Sequence, residues 1–249
     1  MPGHRHSHDS RSLVTMIEFR GASVVAPDSG APILLPTTLT ISEQRVTIIG
    51  ANGSGKSTLA RLINGLAVPV EGQVLVDGLD TRKHGSRVRR RVGFLFTDPS
   101  SQLIMPTAIE DVMLSLRRTV RSKDERIKAA FQALDDIGLG DKANVSVNSL
   151  SGGQRQLLAL AGVLSATPSI VVADEPTTLL DLRWKAHVGA LLYALPIQLI
   201  EVTHDLEAAT KAQRTLVVDE GAVVFDGNPV DAVAHYRDLM YRKSVGERA

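Results

Sequence analysis

The run GANGSGKST at 50–58 has the residue spacing of a phosphate-binding loop. Its later glycines, Gly53 and Gly55, let backbone amides turn toward an anion with no side chain in the way. Lys56 is placed to reach terminal phosphates, and the Ser57 hydroxyl to ligate Mg²⁺. The candidate nucleotide-binding set is therefore Gly50, Ala51, Asn52, Gly53, Ser54, Gly55, Lys56, Ser57 and Thr58. IVVADE at 170–175 supplies a second half: a buried run of Ile170, Val171, Val172 and Ala173 ends on two carboxylates. Asp174 is placed to hold Mg²⁺ directly or through water, and Glu175 to orient and deprotonate an attacking water. His204 follows the apolar run QLIEVT, where it can hydrogen-bond a γ-phosphate or that water, with a neutral ring as suited as a charged one. A second glycine turn, LSGGQRQ at 150–156, opens onto the apolar run LLALAGVL.

These groups need strands and helices to hold them, and the pattern from Met16 onward alternates short β-branched runs with helical spacing, as in an α/β domain. Strands are expected at 17–19, around 39–41, and at 46–49, the last running straight into the glycine loop. Leu59, Leu62, Ile63 and Leu66 follow helical spacing, ended by Gly65 and Pro69. Further strands are expected at 73–78, 92–96, 170–173 and 197–203, with a hairpin across 216–225 turning at Asp219 to Gly221. Between 98 and 165 the strand rhythm lapses, with helices at 108–116 and 123–137, which reads as an inserted helical lobe. A helix near 182–195 stops at Pro196, and another covers 231–241. Residues 1–15, with alternating His4, His6 and His8, read as a disordered tail without the apolar core of a signal peptide, and 242–249 as a flexible end.

Composition excludes several classes. There is no cysteine, so neither disulfides nor thiolate metal sites are open to the chain. Lys and Arg number 28 against 27 Asp and Glu, for a net charge of +1, too balanced for polyanion binding by bulk charge. Arg82, Lys83, Arg87, Arg89, Arg90 and Arg91 form a local basic run, but no aromatics are interleaved for base stacking. It reads as a solvated helix face or a rim on the phosphate side, and nucleic acid is not an expected partner. The apolar stretches fall short of the roughly 18–20 residues that cross a bilayer.

Taken together, GANGSGKST, LSGGQ, ADEP at 173–176 and TH at 203–204, in that order, resemble the ATPase subunit of ABC transporters. The resemblance runs from Met16 to about Val233. It implies a P-loop NTPase core with an antiparallel β subdomain and an inserted α-helical lobe, and hydrolysis of ATP with Mg²⁺. It also implies a homodimer or heterodimer in which Ser151, Gly152, Gly153 and Gln154 of one subunit close over ATP held by the other. Amides and dipole at a helix N-terminus suit that role. Asp181, in TTLLD, matches the D-loop residue of the dimer contact.

Two departures stand out. The glutamine that usually ends the strand before the helical lobe is Thr97, leaving a water on the metal held by Thr97, or a coupling role for Gln102, as alternatives. The usual adenine-stacking aromatic is replaced by Val24, Val25 and Ala26. DPSSQ at 98–102 resembles the glutamine-bearing helix of energy-coupling factor importers, and FTDPSSQLI with TTLLDL looks most like the biotin-uptake ATPase. That resemblance implies an integral membrane coupling subunit, a substrate-binding membrane subunit, and a peripheral position on the cytoplasmic face of the inner membrane. Cobalt or nickel uptake is the alternative within the group. A soluble ABC-type assembly ATPase is the alternative outside it. The lack of sustained heptads and the single P-loop argue against DNA-repair and translation relatives.

Overall fold

A computed structural model of the chain describes residues 15–246. The tail with His4, His6 and His8 lies outside the described residues. The chain begins with β1 (Ile17–Val25) and β2 (Pro32–Ile41), an antiparallel pair that is longer than the short runs expected at 17–19 and 39–41. The register of β1 shifts between Phe19 and Ala22, where Gly21 takes a left-handed φ of 61°. Such a bulge breaks the period-2 pattern and hides the rest of the strand. Pro36 is tolerated in β2 because that strand is the edge of its sheet.

β3 (Arg45–Ile49) follows, then α1 (Lys56–Asn64), β4 (Glu71–Val76) and β5 (Leu79–Asp80). α1 ends at Gly65, whose left-handed φ of 73° lets its amide reach back to the Arg61 and Leu62 carbonyls. The C-terminal part of the basic run, Arg87 and Arg89 to Arg91, lies in α2 (Gly85–Arg91), of which only Val88 is buried. It therefore has the solvated face expected, and it lies by Gly65 at the end of α1 remote from the P-loop, so it is not a phosphate-side rim.

β6 (Val92–Leu95) leads into α3 (Ala108–Leu116), α4 (Lys123–Asp135) and α5 (Gly152–Ser165), and the sheet resumes with β7 (Ile170–Asp174). These helices share one core with the sheet: Leu95, Val171, Ala173 and Leu199 pack with Val112, Leu134, Leu157 and Leu160. After α6 (Leu182–Ala194) come β8 (Gln198–Val202), the short α7 (Leu206–Ala209), β9 (Arg214–Asp219), β10 (Ala222–Gly227) and α8 (Pro229–Ser244). Glu220 and Gly221, both at positive φ, make the tight turn between β9 and β10 that a right-twisted hairpin favours. α8 extends past the expected stop at Tyr241, and Lys243 is held by Asp219 and Glu220 at that turn.

One sheet is antiparallel in the order β2-β1-β4-β5, and the other runs β10-β9-β3-β8-β7-β6, parallel from β9 to β6. Alternation along the parallel strands sets the two faces. Ile48, Val172, Ile200 and Val202 face the core built with α1 and the antiparallel sheet, while Val171, Ala173 and Leu199 face the α5 and α6 side.

Candidate active site

β8 lies between β3 and β7, all three parallel. Their C-terminal ends open side by side, and the chain leaves them as the P-loop, as Thr203 and His204, and as Glu175. In an open α/β sheet this edge is the ligand crevice.

Gly50, Gly53 and Gly55 take φ of 152°, 77° and 103°. A Cβ at Gly50 would lie 2.1 Å from the Val218 carbonyl oxygen, and one at Gly55 would lie 2.7 Å from that of Ile33. The loop is thus walled by β9 and β2, and only glycine fits. Inside it the Ser54 hydroxyl is buried without a hydrogen-bond partner, and Lys56, 5% exposed, donates to the Ala51 carbonyl oxygen at 2.8 Å. Burial pushes the Lys56 pKa down, against the opposing pull of Glu175 and Asp174. A phosphate held in the loop would add counter-charge to this buried ammonium.

Asp174, 2% exposed, accepts from Ser57 Oγ at 2.8 Å on Oδ1 and from Arg61 at 3.4 Å on Oδ2. A hydroxyl and a carboxylate are hard oxygen donors, which suits Mg²⁺ completed by phosphate oxygens and water. Among the described residues no group of three His, Cys, Asp or Glu makes a cage of its own. Thr97 Oγ1 donates to the Asp174 carbonyl oxygen at 2.7 Å, so the shortened side chain ties the end of β6 to that of β7. Gln102 turns inward, its Oε1 accepting from the Phe96 amide at 3.1 Å, and Gln156 donates to the Phe96 carbonyl at 3.2 Å.

Glu175 has a left-handed φ of 49°, uncommon for a non-glycine residue, and its amide is held by the Val202 carbonyl at 2.9 Å. Its carboxylate accepts from Thr178 Oγ1 at 3.1 Å and lies 3.5 Å from His204 Nδ1. Thr178 Oγ1 is itself 3.5 Å from that nitrogen, so Glu175, Thr178 and His204 form one cluster beside the P-loop.

The second glycine turn does not join this cluster. Ser151 is the N-cap of α5, where its hydroxyl accepts from the Gln154 amide at 3.3 Å and Gln154 Oε1 accepts from the Ser151 amide at 2.9 Å. Ser151 and Gly152 are exposed while Gly153 is buried. A Cβ at Gly153 would lie 2.1 Å from the Trp184 ring. Trp184 belongs to α6, whose N-cap Asp181 accepts from the Trp184 amide at 2.9 Å. The second glycine turn and Asp181 thus both contact Trp184, the first at its ring and the second at its backbone amide. Leu179 and Leu182 flank Asp181 at 64% and 86% exposure.

Sequence reasoning missed Arg61, Thr178 and Trp184. Arg61 is one helical turn beyond Ser57, a spacing that puts both on one face. Trp184 gave no local signal, since its contact with Gly153 is tertiary.

The sequence profile of the ABC transporter family matches residues 36–178. The biotin transport ATP-binding protein BioM of Rhizobium etli is 40% identical over 224 residues, covering 90% of this chain and 98% of that one. Among solved structures, cbiO1 from Clostridium perfringens, described as part of the ABC transporter complex cbiONQ, aligns with a TM-score of 0.77 at 29% identity, over 92% of this chain and 94% of that one. The ATP-binding cassette MJ0796, in a dimeric post-hydrolysis state bound to ADP and Pi, aligns with a TM-score of 0.76 at 31% identity, over 86% of this chain and 98% of that one. With this motif order on this fold, the chain belongs to the ABC transporter family and is one of its ATP-hydrolysing members.

Proposed function

We propose that the chain is the energising subunit of an energy-coupling factor importer, in which two ATPase chains close head to tail over two ATP and drive uptake of a micronutrient, biotin, through membrane partners. The observation that carries this reading is the split site: Lys56, Ser57, Asp174, Glu175 and His204 converge at one sheet edge, while Ser151 and Gly152 stand exposed at the α5 N-terminus. The second turn then serves the nucleotide of a neighbouring chain. The dimeric state of MJ0796 supports the geometry, and the likeness to BioM supports biotin.

The P-loop amides and Lys56 hold the β and γ phosphates, with the ammonium balancing charge as the γ-phosphate leaves. Mg²⁺, when bound by Ser57 and Asp174, neutralises phosphate charge. Glu175 holds the attacking water in line and takes its proton. His204 steadies the γ-phosphate or that water. Thr178, touching both, orients them. Val24, Val25 and Ala26 lie in and beside β1, whose partner β2 walls the P-loop, and they give the adenine an aliphatic rather than aromatic bed.

No described helix is long and apolar enough to cross a membrane. In this reading the chain sits on the cytoplasmic face of an integral coupling subunit that also binds a substrate-carrying subunit, and Gln102, at the end of the 98–102 segment, lies on the path of coupling. The test is co-purification of Glu175→Gln with its membrane partners, with ATP. A closed ATP-bound dimer and biotin uptake by the wild-type complex are expected. Recovery without an integral partner, or uptake of cobalt or nickel instead, would overturn the partner or the solute assignment.

A further inference from the structure

A cavity of about 530 Å³ opens between α6, α7 and the end of β8, and Thr177 and Asp205, the chain neighbours of Thr178 and His204, line one end of it. Its chemistry starts with one residue out of place. β8 is a central strand buried along its whole length, and such strands ordinarily carry apolar side chains on both faces. Glu201 shares a face with Leu199, is 5% exposed, and lines this cavity. Its carboxyl makes no hydrogen bond or ion pair with any described residue, and burying a polar group without a partner is costly.

The wall opposite is built to leave room. Ala186, Gly189 and Ala190 present small side chains from α6, and a Cβ added at Gly189 would meet nothing within 4 Å. At the rim, charges cancel in pairs: Lys185 with Asp205 at 2.7 Å and Lys211 with Glu207 at 3.7 Å. Tyr193, its hydroxyl pushed up to about 12 by burial and by Glu201, stays neutral. Ionised Glu201 therefore leaves the lining one negative charge in excess.

We propose that this cavity is a binding site for a small organic monocation, a primary ammonium or guanidinium on a short aliphatic stem, with its head on Glu201 and its stem along Ala186, Gly189, Ala190 and the Tyr193 ring. The site does not depend on the transport reading. Burial, helped by Asp205 and opposed by Lys185 and Lys211, raises the Glu201 pKa to about 7. The groups facing it are Lys185 and Tyr193 from α6, and Asp205, Glu207 and Lys211 from α7 and its flanks. Its strand neighbours Thr47 and Ala173 carry no charge. A cation selects the ionised carboxyl, so its affinity falls about tenfold per pH unit below that pKa.

The test is calorimetric titration of the full nucleotide-free chain with n-butylguanidinium, with n-butanol as the neutral control. Saturable one-to-one binding at pH 8, weakened at pH 6 and absent for butanol, is expected. Glu201→Gln should lose the binding at least tenfold. Gly189→Leu, which fills the cavity from the helix side and leaves the carboxyl in place, should abolish it while circular dichroism stays native. No saturable binding at pH 8, or equal affinity in either folded variant, overturns the site.

Discussion

Glu201→Gln also makes a quantitative statement about stability. A carboxyl raised from an ordinary 4.5 to about 7 by burial and Asp205, against Lys185 and Lys211, corresponds to about 3 kcal/mol at 1.36 kcal/mol per pH unit. Because the folded pKa is the higher one, the folded chain holds a proton the unfolded chain has lost between those values. Stability from this group is full below pH 4.5 and is lost as pH rises through 7. Gln keeps the shape and cannot ionise, so it escapes that loss. The gap between variant and wild type should widen in favour of Gln by about 2 kcal/mol from pH 5.5 to pH 8, since only about 1.4 kcal/mol of the cost is present at the lower pH. Urea unfolding of the nucleotide-free chain at the two values measures it, with other titrating groups cancelling in the difference. A gap that does not change with pH would show that Glu201 does not bind a proton on folding between pH 5.5 and 8.

Gly153→Ala drives a Cβ into the Trp184 ring and should destabilise by about 1–3 kcal/mol. Adding Trp184→Ala should return much of that loss in the double mutant, and a strictly additive cycle by urea unfolding would show that the two residues do not interact. Thr97→Val removes the hydroxyl that donates to the Asp174 carbonyl and should cost about 1 kcal/mol. Thr97→Ser should restore it, and a Val variant as stable as wild type would show that the tie between β6 and β7 carries no weight.

How much of this was legible in the sequence depends on whether a feature is local. The strand at 46–49, the glycine loop and the helix after it are consecutive, so Lys56 and Ser57 could be placed from spacing alone. Asp174, Glu175 and His204 could each be put at a strand end, but their adjacency depends on β8 lying between β3 and β7, which no local pattern encodes. β1 and β2 were underread because a bulge near Gly21 and an edge proline break their alternation. Thr97 was visible as a departure, yet its bond to the Asp174 carbonyl exists only once β6 pairs with β7. Glu201 hid in plain view within QLIEVT, because only the assembled sheet buries it on both sides.

In the proposed dimer each nucleotide is completed by the second glycine turn, Ser151 to Gln154, of a second chain. The most direct measurement is ATPase activity of an equal mixture of Lys56→Ala and Ser151→Arg chains, each expected to be inactive alone. In a mixed dimer, the intact P-loop of one chain meets the intact signature turn of the other. Half of the dimers are mixed and carry one good site, so up to about a quarter of wild-type turnover is expected. Activity no higher than that of the separate variants would contradict it.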